Sequence, residues 1–205
     1  NEAKLLDIKM GTPLFKIKNL IQSSSIIVLS SNYPLYADIS NRTMTLLASF
    51  SPQQEIYSID ESFLDLSGNR ELNATGQKIK KKLWRYLGMP VCVGVAPTKT
   101  LAKLANYCAK KQPEWSGVCD LSELSTIRID NIMSKINVSE VWGVGNKTAD
   151  KLNSIGIYSV LDLKKSDAIY IKNLFSINLE KIIYELNKTI CFPIDSKTPR
   201  KKQII

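Results

Sequence analysis

The chain has 205 residues, 44% hydrophobic and 23% charged, an ordinary globular balance with room for one large domain or two to three small ones. It contains no histidine, and Cys92, Cys108, Cys119 and Cys191 form no Cys-x-x-Cys pair, which argues against zinc and excludes Ser or Cys catalysis through a His base, leaving carboxylates, lysines and a metal ion. Lys and Arg outnumber Asp and Glu by 28 to 19, a net charge of +9, which favours nucleic acid before an anionic membrane because neutralising phosphates releases counterions.

No apolar run is long enough to span a membrane, no signal-peptide pattern opens the chain, and thiols kept reduced as small core residues suit a cytoplasmic protein. The opening Asn1-Glu2-Ala3-Lys4-Leu5-Leu6 reads as the inside of a helix and marks a fragment, or a chain whose true start is missing. A helix is expected over residues 1–9, stopping near Gly11-Thr12-Pro13, and a second short amphipathic helix through Leu14, Ile17, Leu20 and Ile21. The β-branched run Ile26-Ile27-Val28-Leu29 predicts a buried strand. Ile39, Thr43, Leu46, Leu47 and Phe50 recur at helical spacing from Tyr36 until Ser51-Pro52.

Two strand-like runs, Glu55 to Ile59 and Phe63 to Leu66, flank Asp60-Glu61-Ser62, and Ser67-Gly68-Asn69 supplies the next turn. A helix from Ala74 to Leu87 turns Ile79, Leu83, Tyr86 and Leu87 inward and Lys78, Lys81, Lys82 and Arg85 outward. Val91 to Val95 reads as a strand, and Pro97-Thr98 leads into a helix reaching about Lys111. This order predicts an α+β fold with an antiparallel sheet covered on one face. Beyond Gly117 only short helices are expected, near 129–135, 146–154, 159–165 and 178–188, followed by a Lys- and Pro-rich linker over 193–205.

Asp60 and Glu61 are adjacent, so in a straight strand they would point to opposite faces. At a hairpin tip the alternation breaks, and both carboxylates can face one cavity. Two hard oxygen ligands suit Mg²⁺, which keeps waters and binds substrate phosphates, and a pair of such ions serves phosphoryl transfer. The plain alternative is a solvated turn, where Asp, Glu and Ser are routine. On the helix from Lys99, periodicity buries Leu101, Leu104, Ala105 and Cys108 and sets Lys99, Lys103 and Lys110 on the opposite stripe, which by itself reads as a solvated face. Val141-Trp142-Gly143-Val144-Gly145 and the helix after it look like a helix–hairpin–helix ending at Gly156-Ile157. Gly143 and Gly145 allow a tight hairpin and close backbone approach around Val144. The helix N-terminus offers N–H groups to a phosphate, with Lys147 and Lys151 adding charge. Such contacts position a duplex without reading its sequence; the alternative is a plain turn between packed helices.

Three stretches together resemble Y-family, lesion-bypass DNA polymerases of the bacterial UmuC type: Tyr57 to Leu66 as their palm signature, Val93 to Ala105 as the helix beside the nucleotide, and Val141 to Ile157 as the thumb. Ser30 to Arg42 and Lys9-Met10-Gly11 resemble the UmuC branch more than the DinB-like one; Tyr33, Tyr36 and Arg42 read as packing residues. The resemblance implies a fingers remnant over 1–31, a palm over 32–119, a helical thumb over 120–192 and the linker after it. It makes Asp60 and Glu61 catalytic Mg²⁺ ligands, Lys110 and Lys4 contacts to the incoming triphosphate, and Gly143, Val144, Gly145 and Lys147 contacts to DNA. A Tyr common beside the Lys4 position is Asn1 here. A first strand carrying another metal-binding Asp and the aromatic steric gate is expected before residue 1, and a little-finger domain after the linker.

On this resemblance the parent protein adds deoxynucleotides to a primer opposite damaged template in the SOS response, with a processed UmuD dimer and RecA as partners, in the cytoplasm and on the nucleoid when bound to DNA. Without the first Asp, the chain alone is expected to be inactive. Two other readings compete: a truncated remnant that binds DNA or partners without polymerising, and an unrelated helix–hairpin–helix DNA-binding protein.

Overall fold

The computed structural model describes residues 2–9, 11–24 and 26–196. Asn1, Met10 and the part of the expected linker from 197 onward lie outside the described residues. The chain forms two compact units, one of residues 1–36 and one from Ala37 onward.

In the first unit α1 spans only Glu2–Leu5. It stops short of the expected helix because Asp7 takes the left-handed conformation, φ 56°. The Ile8 N–H then donates back to Ala3 O (2.9 Å) and the Asp7 N–H to Lys4 O (3.1 Å), a Schellman-type stop that satisfies the last carbonyls. A 3-10 turn, Leu14–Ile17, runs into α2, Lys18–Ser23, where the second helix was expected. The strand expected over Ile26 to Leu29 does not form: the segment is irregular, and Ile27 and Leu29 are each 82% exposed. An apolar β-branched run becomes a strand only where a partner supplies the other half of a ladder, and every ladder among the described residues lies in the second unit.

The helix α3, Tyr33–Ala48, starts where the Asn32 side chain accepts from the Leu35 N–H (3.1 Å). Beyond it β1, Gln54–Ile56, and β2, Ser62–Leu64, pair antiparallel with Glu55 opposite Phe63. The Ser51 hydroxyl donates to Asp65 O (2.6 Å), tying the two open ends of this hairpin together. Then come α4, Leu72–Leu87, β3, Val93–Val95, α5, Lys99–Lys111, and β4, Val118–Asp120, which pairs parallel with β3. The α+β class holds, but the sheet is divided into an antiparallel pair and a parallel pair rather than one antiparallel sheet. The parallel partner β4 was not anticipated, since three residues after Gly117 are too few to display an alternation.

This parallel pair is buried between two helices. A Cβ on Gly94 would collide with backbone atoms of Ala102 and Asn106 on α5, while one on Gly76 of α4 would press on Val118 and Val93. Successive strand residues face opposite ways, so α4 covers one face and α5 the other, the arrangement parallel strands require. Tyr86, expected inward, is 64% exposed. Lys80 already reaches Ser116, ahead of β4, so the last turn of α4 runs past the end of the short strands.

Five short helices follow: α6 Thr126–Ser134, α7 Asn146–Ser154, α8 Val160–Lys165, α9 Ala168–Leu174 and α10 Ile177–Leu186. Ser125, Ser159, Asp167 and Ser176 cap α6, α8, α9 and α10 through their side chains, which explains sharp starts in a run of small helices. The unexpected α9 buries only Ile171 among its residues, too little for a periodic signature. The core is continuous from Leu101, Leu104 and Cys108 of α5 through Met133, Leu152 and Leu163 to Ile183 and Leu186 of α10. Glu185 fixes this junction and is wholly buried. One carboxylate oxygen accepts from the Thr100 N–H (2.8 Å) and hydroxyl (2.7 Å), the other from the N–H groups of Cys191 (3.1 Å) and Phe192 (2.9 Å). A buried charge is tolerated here because four donors and the N-terminus of α5 meet it.

Candidate functional site

The connection from β1 to β2 places Asp60 and Glu61 at the tip of the hairpin, both exposed. The N–H groups of Tyr57 and Ser58 both donate to Glu61 O, at 3.0 and 3.1 Å, which closes the loop. The Ser58 hydroxyl donates to Asp60 Oδ1 at 2.7 Å. A third carboxylate of the same stretch, Asp65, is engaged in a turn at the open end. Hydrogen bonds from the Ser67 side chain and N–H hold its carboxyl below the usual carboxylate range.

One face of the hairpin lies against α5. Alternation puts Glu55 and its partner Phe63 on the same side, and Lys99 and Lys103, one helical turn apart, meet that side. Lys99, 8% exposed, pairs with Glu55 and sits 5.1 Å from the Phe63 ring centroid. Lys103 Nζ lies 2.6 Å from Glu61 Oε2. The upper half of the expected lysine stripe is therefore engaged with the hairpin, while Lys110, two turns further along α5, is exposed.

The hairpin also meets the segment between α6 and α7. Trp142 stacks edge-on to Tyr57 with centroids 5.5 Å apart, lies 6.1 Å from Phe63, and donates its Nε1–H to Tyr57 Oη at 2.9 Å. Phe192 covers the other side of Trp142 at 5.5 Å. The Asp195 N–H donates to Glu55 Oε2 at 2.7 Å, so the irregular stretch from Cys191 to Asp195 is fastened to both α10 and the hairpin. Sequence reasoning missed this cluster. Trp142 lay inside the quoted hairpin motif and Tyr57 inside the carboxylate motif, yet nothing in 85 residues of separation announces that they touch.

At the start of α7, Gly143, Gly145 and Lys147 are exposed together, whereas the Val144 side chain is buried and leaves only its backbone to an outside partner. Gly143 adopts φ 84°, open to glycine, and a Cβ there would meet Ile182 at 3.1 Å. Gly145 is the N-cap of α7 and no side chain caps that end, so the first N–H groups face an anion or solvent. A groove of about 360 Å³ opens beside them, with Lys147, Lys151, Ser176 and Asn178 among its walls. An antiparallel bridge, Asn137 to Ser159, holds the ends of this helical hairpin together. Lys4 belongs to the first unit, exposed in the last turn of α1.

Adjacent exposed carboxylates are hard donors of the kind Mg²⁺ accepts, and that ion commonly takes one or two of them with waters and phosphate oxygens. The donor set fits in kind. Among the described residues no group of three His, Cys, Asp or Glu side chains comes together to complete an all-protein cage. No helix among them is long and apolar enough to cross a membrane.

The family model described as the impB/mucB/samB family matches residues 1–107, and the one described as the IMS family HHH motif matches residues 128–157. Protein UmuC of Salmonella typhimurium is 43% identical over 208 residues, covering 100% of this chain and 49% of that protein. DNA polymerase IV of Sulfurisphaera tokodaii is 30% identical over 166 residues, 79% of this chain and 45% of that protein. An insertion ternary complex of Dbh DNA polymerase is similar in structure, with a TM-score of 0.76 at 28% identity over 95% of this chain and 56% of that one. The chain thus spans about half the length of the curated relatives it matches.

Proposed function

The chain belongs to the impB/mucB/samB family, and from that premise we propose that it is part of an error-prone DNA polymerase that extends a primer past template lesions. The observation that carries this reading is the β1–β2 hairpin, which presents Asp60 and Glu61 at its tip against a lysine-bearing helix.

In this reading Asp60 and Glu61 hold Mg²⁺. The ion, when bound, supplies charge neutralisation to a triphosphate and activates the primer hydroxyl. Lys110 and Lys4 bind the triphosphate, which is positioning and electrostatic work rather than covalent chemistry. The backbone of Gly143, Val144 and Gly145, the start of α7 and Lys147 grip a DNA phosphate and set the duplex in register without reading bases. The protein then acts in the cytoplasm, on the nucleoid when bound to DNA, with a processed UmuD dimer and RecA in SOS mutagenesis.

Primer extension across a lesion by the longer protein that contains this chain tests the reading. Asp60→Ala and Glu61→Ala should each lower incorporation by at least about 10²-fold in Mg²⁺, and undiminished synthesis would sink it. A second reading, a remnant that binds DNA or partners only, would be ended by nucleotide incorporation by the 205-residue chain itself.

A further inference from the structure

Lys103 occupies a place that a surface lysine does not need. Its Nζ is 2.6 Å from Glu61 Oε2, and its side chain is only 19% exposed against 45% for Glu61. The same ammonium lies 4.6 Å from the centroid of Tyr57, 5.7 Å from Phe63 and 5.9 Å from Trp142. All three distances fall within the range where a ring face attracts a cation. The rings are fixed to one another: Tyr57 and Phe63 are 5.8 Å apart, Tyr57 and Trp142 5.5 Å, and the Trp142 Nε1–H bonds Tyr57 Oη. The ammonium is therefore held in a three-walled aromatic box, with two walls from the carboxylate hairpin and one from the helical hairpin near α7.

We propose that Lys103 is a positioning residue that holds the Glu61 carboxylate at the hairpin tip as a resident cation, which a divalent ion must displace. This rests on the reading of the tip as a metal site. A carboxylate oxygen bonded to an ammonium is partly neutralised and fixed in direction. The arriving ion competes for that same oxygen, and Lys103 cannot follow it far because the rings retain its charged end. Glu61 is thereby kept ordered between metal-binding events, and its neighbour Asp60 is spared part of the repulsion of an adjacent bare carboxylate. The cost is affinity: the metal binds more weakly than it would to an unpaired Glu61.

Mn²⁺ titration of the 205-residue chain, read by the loss of the free-ion EPR signal, tests this without any catalytic readout. Removing the charge with Lys103→Met should tighten Mn²⁺ binding by about threefold or more, the fold-change matching a partly exposed ion pair. Lys103→Arg should restore wild-type affinity, which a purely structural role for the side chain does not predict. Glu61→Gln should weaken binding in every background. Unchanged or weaker binding in Lys103→Met, with Glu61→Gln still disruptive, overturns the proposal and leaves the metal reading standing. Mn²⁺ binding indifferent to Glu61→Gln overturns both. Thermal melts accompany each variant, and Lys103→Gln replaces Lys103→Met if the methionine chain melts early.

Discussion

The β3–β4 pair is covered on both faces by α4 and α5, and every residue of β4 is buried. The β1–β2 pair, by contrast, is nowhere fully buried along its strands. It is held by the Lys99–Glu55 and Lys103–Glu61 ion pairs, by ring contacts to Trp142 and by hydrogen bonds from Ser51 and Gln54. Packing fixes the first pair and leaves no surface for chemistry. Polar and aromatic attachments fix the second while keeping two carboxylates in reach of solvent. On the proposed function, stability and chemistry are therefore carried by different strand pairs, and substitutions should separate them.

The largest effect is expected at the sandwich. Gly94→Ala drives a methyl into the backbone of α5 at Ala102 and Asn106, where no flexible side chain can yield, so chemical denaturation should show a loss of about 3 kcal/mol or more, or no folded protein. Glu185→Ala comes next. It leaves the N–H groups of Thr100, Cys191 and Phe192 without their acceptor, and should cost about 3 kcal/mol by the same measurement. Trp142→Ala removes ring contacts and the bond to Tyr57; a loss of about 2 kcal/mol is expected, with greater exposure of the hairpin in hydrogen exchange.

The smallest effect concerns acid. Asp162 closes a capping box with Ser159 at the start of α8, and hydrogen bonds from the Ser159 N–H, first, and then its hydroxyl and the Tyr158 N–H keep its carboxyl below the usual carboxylate range. Because the folded-state pKa is the lower one, the stabilisation is complete above the ordinary carboxylate pKa and is lost as pH falls through the depressed value. Asp162→Asn should therefore flatten the acid limb of the stability–pH curve slightly, while costing less than about 1 kcal/mol at neutral pH.

Much of this was legible in the sequence, for reasons that differ from place to place. The hairpin around Asp60 and Glu61 was readable because two β-rich runs flank a polar tip, and α5 because Leu101, Leu104, Ala105 and Cys108 keep a helical period. The α7 hairpin was readable from its paired glycines. Ile26 to Leu29 misled because apolar composition records no pairing partner. β4 escaped because three residues carry too little pattern, and α9 because it buries only Ile171. What no local pattern holds is contact across the chain: Glu185 reaching Thr100 spans 85 positions, and Lys103 reaching Glu61 spans 42. Those contacts decide how the site is held, and only the folded structure displays them.

The division between stability and chemistry is tested most directly on Asp60→Asn in the longer protein that contains this chain. Thermal unfolding and primer extension in Mg²⁺ are to be measured on the same preparation. If the division holds, the unfolding transition shifts by no more than about 0.5 kcal/mol, because Asp60 is an exposed tip residue, while extension slows by at least about 10²-fold. A variant that extends primers at the original rate, or one that loses activity only because it has unfolded, would contradict it.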